Sequence, residues 1–321
     1  MSAGAAVALG LIGFAAPTTA TAGWQPRKPV EFVIMAGQGG GADRLARLIQ
    51  SIIEKHKLSP QPFIPINKPG GSGAEALRYL KDNAGNPHIV MATLNSYYTT
   101  PLRNPGLGVD IANFTPIARL AEDTFLLWVN ADTDIHSVDD FVAAVKKAGP
   151  ENWVMGGTGK GQEDSLVTGL LEKAYDIKMT YVPFKGGGTV AKNLIGNHLN
   201  STVNNPSEQI GFYQAGKSRP LAAFTPERLA AFPDVPTFRE LGKDLVYFMQ
   251  RSVVAPPKIP ADARDFYVNV FRQVNESAEW KTYTKKKALI RSFLTGQALQ
   301  DYFLAEREKH RKLLKALGEI Q

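Results

Sequence analysis

"VEFVIMAGQGGGADRLARLIQSIIEKH", residues 30–56, reads as a strand, a glycine turn and a helix in direct succession. Val30 to Met35 is an apolar run, the pattern of a central strand covered on both faces of a parallel sheet. Glycines then fill the turn from Gly37 to Gly41, and Leu45, Leu48, Ile49, Ile52 and Ile53 recur at helical spacing, giving one apolar stripe and one polar face. The unit recurs in "PFIPINKPGGSGAEALRYLKDN" (62–83), with its helix from Ala74 to about Asn83, in "NWVMGGTGKGQEDSLVTGLLEKAY" (152–175) and in "MTYVPFKGGGTVAKNLIGNHL" (179–199). "HIVMATLNS" (88–96) is a further buried strand, and its end carries Thr93, Asn95 and Ser96, where open α/β sheets bind ligands. Alternating β and α units with short loops predict doubly wound parallel sheets.

From about Phe114 a second set of units begins. "SVDDFVAAVKKAG" predicts a helix capped by Ser137 and ending at Gly149, and "LNSTVNN" and "SEQIGFYQAGK" predict a strand and a helix. "LVYFMQRSVVAPP" (245–257) reads as one strand, followed by helices at about 262–277, 278–288 and 297–317 that extend the first domain.

A chain of 321 residues is long enough for two domains, and 44% hydrophobic with 21% charged residues is globular composition. Cysteine is absent, which removes disulfides, thiolate metal sites and a cysteine nucleophile. His56, His88, His136, His198 and His310 are scattered without ligand spacing, so they read as surface or loop residues, and no metal site is expected. A net charge of +7 suits anionic partners, yet the densest basic run, "KTYTKKKALIR" (281–291), reads as a solvated helix face rather than a nucleic-acid surface. Residues 1–22, with an apolar core from Ala5 to Ala16 and Ala20-Thr21-Ala22 before Gly23, read as a secretory signal too short to span a bilayer. No Lys or Arg precedes that core.

The opening turn is no nucleotide loop. "GQGGGA" meets GxGxxA at Gly37, Gly39 and Ala42, but the acid required about 20 residues on falls in "PQPFIPIN" (60–67), which has none. In "GGTGKGQ" (156–162) Gly161 stands where a phosphate loop needs Ser or Thr after the lysine. Four glycine turns open helices: Gly37–Gly41, Gly70–Gly73, Gly156–Gly161 and Gly186–Gly188. Helix N-termini offer unpaired N–H groups and partial positive charge, and glycine admits an anion close to the backbone, so the set predicts carboxylate binding across a cleft. Asp43, Glu163 and Asp164 read as acids that complement helix dipoles, and no GxSxG elbow or acid–base set points to catalysis.

The segments "RKPVEFVIMAGQGGGADRLAR", "INKPGGSGAEAL", "IVMATLNS", "FTPIARLAEDTFLLWVN", "YVPFKGGGTVAKNLIGNHL", "QAGKSRPLAAFTPERLAAFPDVPTFRELG" and "VVAPPKIP" are collinear across nearly the whole chain after residue 22. Together they resemble the substrate-binding receptors of tripartite tricarboxylate transporters, the Bug-type periplasmic proteins. The most specific element is Phe232-Pro233-Asp234-Val235-Pro236-Thr237. The resemblance implies two α/β domains of type II-like periplasmic binding architecture, hinged by crossing strands near Phe125–Val129 and Val246–Val254. Residues 23–122 with 252–321 would form the first domain and 123–251 the second. It also implies a ligand gripped by Gln38, Gly39, Gly40, Gly41, Ala42 and Asp43, helped by Thr93, Asn95 and Ser96. Facing them would be Gly157, Thr158, Gly159, Lys160 and Gln162, then Lys185, Gly186, Gly187, Gly188 and Thr189, and Asn204.

The chain departs from the family pattern in three places. Gln38 and Ala42 replace the usual loop composition, adding an amide and removing a hydroxyl. Lys160, Gln162, Glu163, Asp164 and Ser165 stand in place of a stretch rich in Ser and His. Val203 occupies the place of a common acid. Lys160 and Val203 predict a cleft less repulsive to anions, hence a ligand with one carboxylate and more readily two, while Glu163 would act in the opposite sense if it faces the cleft. The resemblance implies a monomeric, non-enzymatic periplasmic receptor without cofactor, partnered by the transporter's membrane subunits. A sensing partner of a two-component system and an α/β enzyme acting on an anion are the alternatives.

Overall fold

β1 (Val30–Ile34) enters the glycine turn and α1 (Gly41–Lys55), whose Leu45, Ala46, Ile49, Ile52 and Ile53 are buried as one stripe. β2 (Phe63–Asn67), α2 (Ala74–Asp82), β3 (Ile89–Thr93), α3 (Ser96–Arg103) and β4 (Thr115–Thr124) follow. The computed structural model describes Met1 and residues 23–321, so the leader expected over 1–22 lies, Met1 apart, outside the described residues.

One residue after β4, β5 (Leu126–Asn130) begins a second set: α4 (Val138–Ala148), β6 (Val154–Thr158), α5 (Glu163–Tyr175), β7 (Thr180–Phe184), α6 (Gly187–Ile195), β8 (Ser201–Thr202), α7 (Pro206–Gln214) and β9 (Ser218–Ala223). The chain then returns through β10 (Phe248–Ala255), α8 (Ala261–Glu276), α9 (Ala278–Lys286), β11 (Ile290–Leu294) and α10 (Gly296–Ala316). Strand order is β11-β4-β10-β3-β1-β2 in one sheet and β7-β6-β8-β5-β9 in the other. The result is a two-domain α/β fold with one sheet in each domain.

The sheets are mixed, not purely parallel as expected. β10 is antiparallel to β3 and β4, and β5 is antiparallel to β8 and β9. The cause is the crossing itself: a strand arriving from the other sheet runs away from the junction, against the strands whose C-terminal ends meet there. The boundaries expected at 122/123 and 251/252 fall inside β4 and β10, both of which hydrogen-bond in the first sheet to their ends at Thr124 and Phe248.

α3, β9 and β11 were not expected. α3 starts directly behind β3 with no glycine turn to announce it and contains Pro101, and β9 carries Pro220. The basic helix expected to run to Lys287 and beyond stops at Lys286, where Ala288 takes a left-handed φ of 55° and the chain reverses into the edge strand β11. Lys281, Lys285 and Lys286 are exposed, as a solvated face requires. His310 is not a surface residue: it is 1% exposed on α10, its Nε2 3.0 Å from the Tyr247 hydroxyl. The Phe232–Thr237 segment packs beneath β5, with the rings of Trp128 and Phe232 edge-on at 5.7 Å.

Next to the first crossing, Asp123 on β4 and Arg251 on β10 form a buried ion pair, 1% and 3% exposed. Arg251 Nε donates to Asp123 Oδ2 at 3.1 Å and Nη2 donates to the same oxygen, while the Thr124 N–H donates to Oδ1. Removing one partner of such a pair strands the other charge in a dry site, at a cost of about 3–5 kcal/mol. Asp123→Ala is therefore expected to lower the unfolding free energy in urea titrations by about that amount. Ser137→Ala, which removes the α4 capping box with Asp140, is expected to cost only about 1 kcal/mol. Equal losses would contradict the weight given to the buried pair.

Candidate functional site

The turns after β1, β6 and β7 face one another across a cleft of about 1070 Å³ between the two sheets. The first domain contributes Gly37, Gln38, Gly40, Gly41 and Ala42 with Pro69, Gly70, Ser72 and Leu94, and the second contributes Thr158, Gly159, Lys160, Gln162, Lys185, Gly186, Gly187 and Thr189. Another concavity, of about 780 Å³, lies between α4, α5 and the chain end and shares only Lys160 with the glycine turns.

The two domains touch at the glycine turns. A Cβ on Gly37 would stand 2.7 Å from the Lys185 carbonyl oxygen, one on Gly186 would be 3.8 Å from Gly40 Cα, and one on Gly188 would be 3.2 Å from the Gly39 oxygen. Polar contacts join the domains as well, among them Ser96 N–H to Glu163 Oε1 at 2.8 Å, Gly41 N–H to Glu208 Oε1 at 3.3 Å, Arg103 Nη1 to the Lys160 oxygen at 3.1 Å and Asn205 Nδ2 to the Thr124 oxygen at 2.7 Å. This is a closed arrangement.

Several expected ligand residues are brought to the cleft and several are not. Gln38, Gly40, Gly41, Ala42, Thr158, Gly159, Lys160, Gln162, Lys185, Gly186, Gly187 and Thr189 line it. Asp43 instead braces its own turn, accepting from Gly39 N–H at 3.0 Å, Arg47 Nε and Asn67 Nδ2. Burial alone would raise its carboxyl, but the bonds from Arg47, Gly39 and Asn67 hold it below the usual carboxylate range. Thr93, Asn95 and Ser96 are buried structural residues: Thr93 bonds Gln250, and Asn95 Nδ2 donates to the Phe248 oxygen at 2.8 Å while its Oδ1 accepts from Gln250 N–H. Both tie β3 to the crossing strand β10. Gly157 lies under the Tyr181 hydroxyl, 2.2 Å from where its Cβ would be, and Asn204 is fully buried, bonded to the Gly187 oxygen and Glu208. Gly39 and Gly188 meet each other at the contact between the turns and are absent from the lining. Val203 is buried in the core and does not reach the mouth of the cleft, so it does not act on the ligand's charge as expected.

Glu163, whose effect on the ligand depended on its facing the cleft, lines it. So do three charged residues not expected there: Asp164, read as an acid complementing the α5 dipole, Glu208 of α7 and Arg251 of β10. An arginine within a largely apolar strand run was the available signal for Arg251. Glu208 had none, because its position depends on how α7 meets α1. Its carboxylate accepts from Asn204 Nδ2 at 2.9 Å as well as from Gly41, and a Cβ on Gly187 would fall 2.0 Å from Oε2.

The free N–H groups expected at the helix starts are partly taken by the chain's own side chains. Gly39 donates to Asp43, Gly41 to Glu208, Thr158 to Asp164 and Gly161 to the Ser165 hydroxyl. The N–H groups of Gly159, Lys160, Gly186 and Gly187, all in the lining, have no partner among the described residues. A carboxylate has these to bond. Burial works against the Arg251 charge, but Asp123 more than restores it, so the guanidinium stays protonated. Burial pushes up the carboxyls of Glu163 and Glu208, the latter also through the Asp123 charge. Asp164 is pushed up to about 8 by burial and by the charges of Glu208 and Glu163. Among the described residues no group of three or more metal-ligating side chains comes together.

The sheet topology and the shared cleft define a two-domain α/β solute-binding protein. The model of the tripartite tricarboxylate transporter family receptor matches residues 45–318, and the chain belongs to that family. The UPF0065 protein of the gbd 5′ region of Cupriavidus necator is 26% identical over 321 residues, covering 98% of this chain and 96% of that protein. The periplasmic binding protein BugD superposes with a TM-score of 0.86 at 19% identity, covering 92% of this chain and 99% of its own. R. palustris Rpa4515 with adipate superposes at 0.85 with 25% identity, covering 91% and 98%.

A carboxyl that keeps its proton up to about pH 8 when folded, against an ordinary value of 3.8, binds more protons in the native state than in the unfolded one across that window. The contribution of Asp164 to stability therefore falls as pH rises from about 4 to 8. Asp164→Asn is expected to remove that descent from urea midpoints measured across the range. An unchanged slope would show that Asp164 ionises normally in the folded chain.

Proposed function

We propose that the chain binds a small organic carboxylate between its domains in the periplasm, closes on it and presents the closed form to the membrane subunits of a tripartite transporter. The observation that carries this reading is the meeting of glycine turns from both domains around N–H groups left without partners, with Lys160 and Lys185 beside them. Turns after parallel strands are the usual ligand seats of open α/β sheets, and backbone donors at helix starts suit carboxylates. The family assignment and the adipate held by the R. palustris neighbour support the same ligand class. Gln38, Gly40, Gly159, Lys160, Lys185, Gly186 and Gly187 would seat one carboxylate of the ligand. Asn204, Thr93, Asn95 and Ser96 would shape the site from behind, and the hinge would lie at Phe125 and within 224–247.

The chain is proposed to act without catalysis. Contacts present only in the closed form would let a ligand shift an open–closed equilibrium by its difference in affinity for the two. Among the described residues no helix is long and apolar enough to cross a membrane.

A thermal-shift screen of mono- and dicarboxylic acids tests the ligand class, because a ligand that binds the native state alone raises the melting temperature. At least one carboxylate is expected to do so, and a preference for neutral or cationic solutes would contradict the reading. For that carboxylate, Gly37→Ala is expected to weaken calorimetric affinity roughly tenfold or more, since a methyl 2.7 Å from the Lys185 oxygen penalises closure by overpacking. Gly211→Ala, in α7 away from the cleft and with nothing within 4 Å of the added methyl, is expected to change it little. Equal effects would show that the closed form is not the binding form.

A further inference from the structure

The anion seat at the start of α1 is already filled. Glu208 reaches across from the second domain, accepts the Gly41 N–H at 3.3 Å, and is steadied by Asn204 Nδ2 at 2.9 Å. It leaves no room for a side chain on Gly187, so the glycine at the start of α6 admits a carboxylate that belongs to the protein. Glu163 and Asp164 line the same cleft, each with one oxygen bonded to a backbone N–H, of Ser96 and Thr158 respectively. Arg251 donates Nε and Nη2 to Asp123, so its charge tempers Glu208 and Glu163 without a hydrogen bond to either. The Ser207 hydroxyl, in a side chain 5% exposed, has no partner and lies 3.4 Å from where a Cβ on the cleft residue Gly41 would be. A ligand that was only an anion would thus meet the acceptor oxygens of Glu208 and Glu163, whose remaining lone pairs ask for donors, beside the protonated carboxyl of Asp164.

We infer that the ligand carries a hydrogen-bond donor, a hydroxyl or an ammonium group, beside its carboxylate, and that Glu208 is the side chain that selects it. The inference rests on the carboxylate reading above. The ligand's carboxylate takes the free N–H groups of Gly159, Lys160, Gly186 and Gly187, while its donor meets the acceptor oxygens of Glu208 and Glu163. A donor bonded to a carboxylate is a charge-assisted contact, stronger than its neutral counterpart, and it replaces a like-charge repulsion that a plain acid would suffer. Plain and donor-bearing acids of one skeleton therefore separate by affinity.

The test is calorimetry on the wild-type chain and on Glu208→Gln with three matched sets: propionate, lactate and alanine; succinate, malate and aspartate; glutarate, 2-hydroxyglutarate and glutamate. In at least one set a donor-bearing member is expected to bind the wild type tenfold or more tightly than the plain acid, and Glu208→Gln is expected to bring that ratio below threefold. Plain acids that bind the wild type as tightly as their donor-bearing partners would overturn the inference and leave the carboxylate reading standing. So would a ratio that survives Glu208→Gln. Absence of binding by all nine acids would sink the carboxylate reading and the inference with it. Should Glu208→Gln fail to fold, the wild-type ratios decide alone.

Discussion

Arg251 and Asp123 meet on adjacent strands at the junction of the two sheets, and burying that pair dry constrains everything around it. Two charges taken out of water hold each other only if their geometry stays fixed and their remaining groups are satisfied. The pair therefore locks β10 against β4 where the chain leaves and re-enters the first sheet. Gln250, next to Arg251, binds Thr93 and the Leu94 oxygen, and Asn95 closes on Phe248, so the end of β3 is clamped to the same strand. The floor of the cleft is thus a rigid platform on which the glycine turns are hung.

On that platform glycine serves a purpose more specific than loop flexibility. Gly37 and Gly186 let two backbones come within contact distance, and Gly187 makes space for Glu208. The helix starts are facing electropositive ends, and much of their hydrogen-bonding capacity is met by Asp43, Glu208 and Asp164 from within the chain. What is left for a ligand is a smaller set of donors beside a wall of acceptors. Such a site can discriminate by the pattern of polar groups as well as by net charge.

The strand–turn–helix units were legible in the sequence because buried strands and amphipathic helices carry strong periodicity: Val30–Ile34 with α1, and the Ser137 cap with α4, fall where the pattern puts them. β11 was hidden because its residues are half-exposed at a sheet edge and follow a lysine-rich helix without a turn signature. The glycine turns do meet at one cleft, but side-chain direction was beyond the pattern. Asp43 and Asn95 sit at ligand-like positions in the sequence and spend their bonds on structure, whereas Glu208 lies within a helix and enters the cleft through a contact between α7 and α1 that no local spacing encodes. Val203 looked informative only by comparison with the family pattern, and its place in the core removes it from the ligand's surroundings.

Closure on a carboxylate is the claim on which the functional account stands. Small-angle scattering from the chain with and without a saturating acid from the panel measures it directly. The account predicts a smaller radius of gyration with the acid present, as the sheets draw together over the glycine turns, and an identical radius in both states would contradict it.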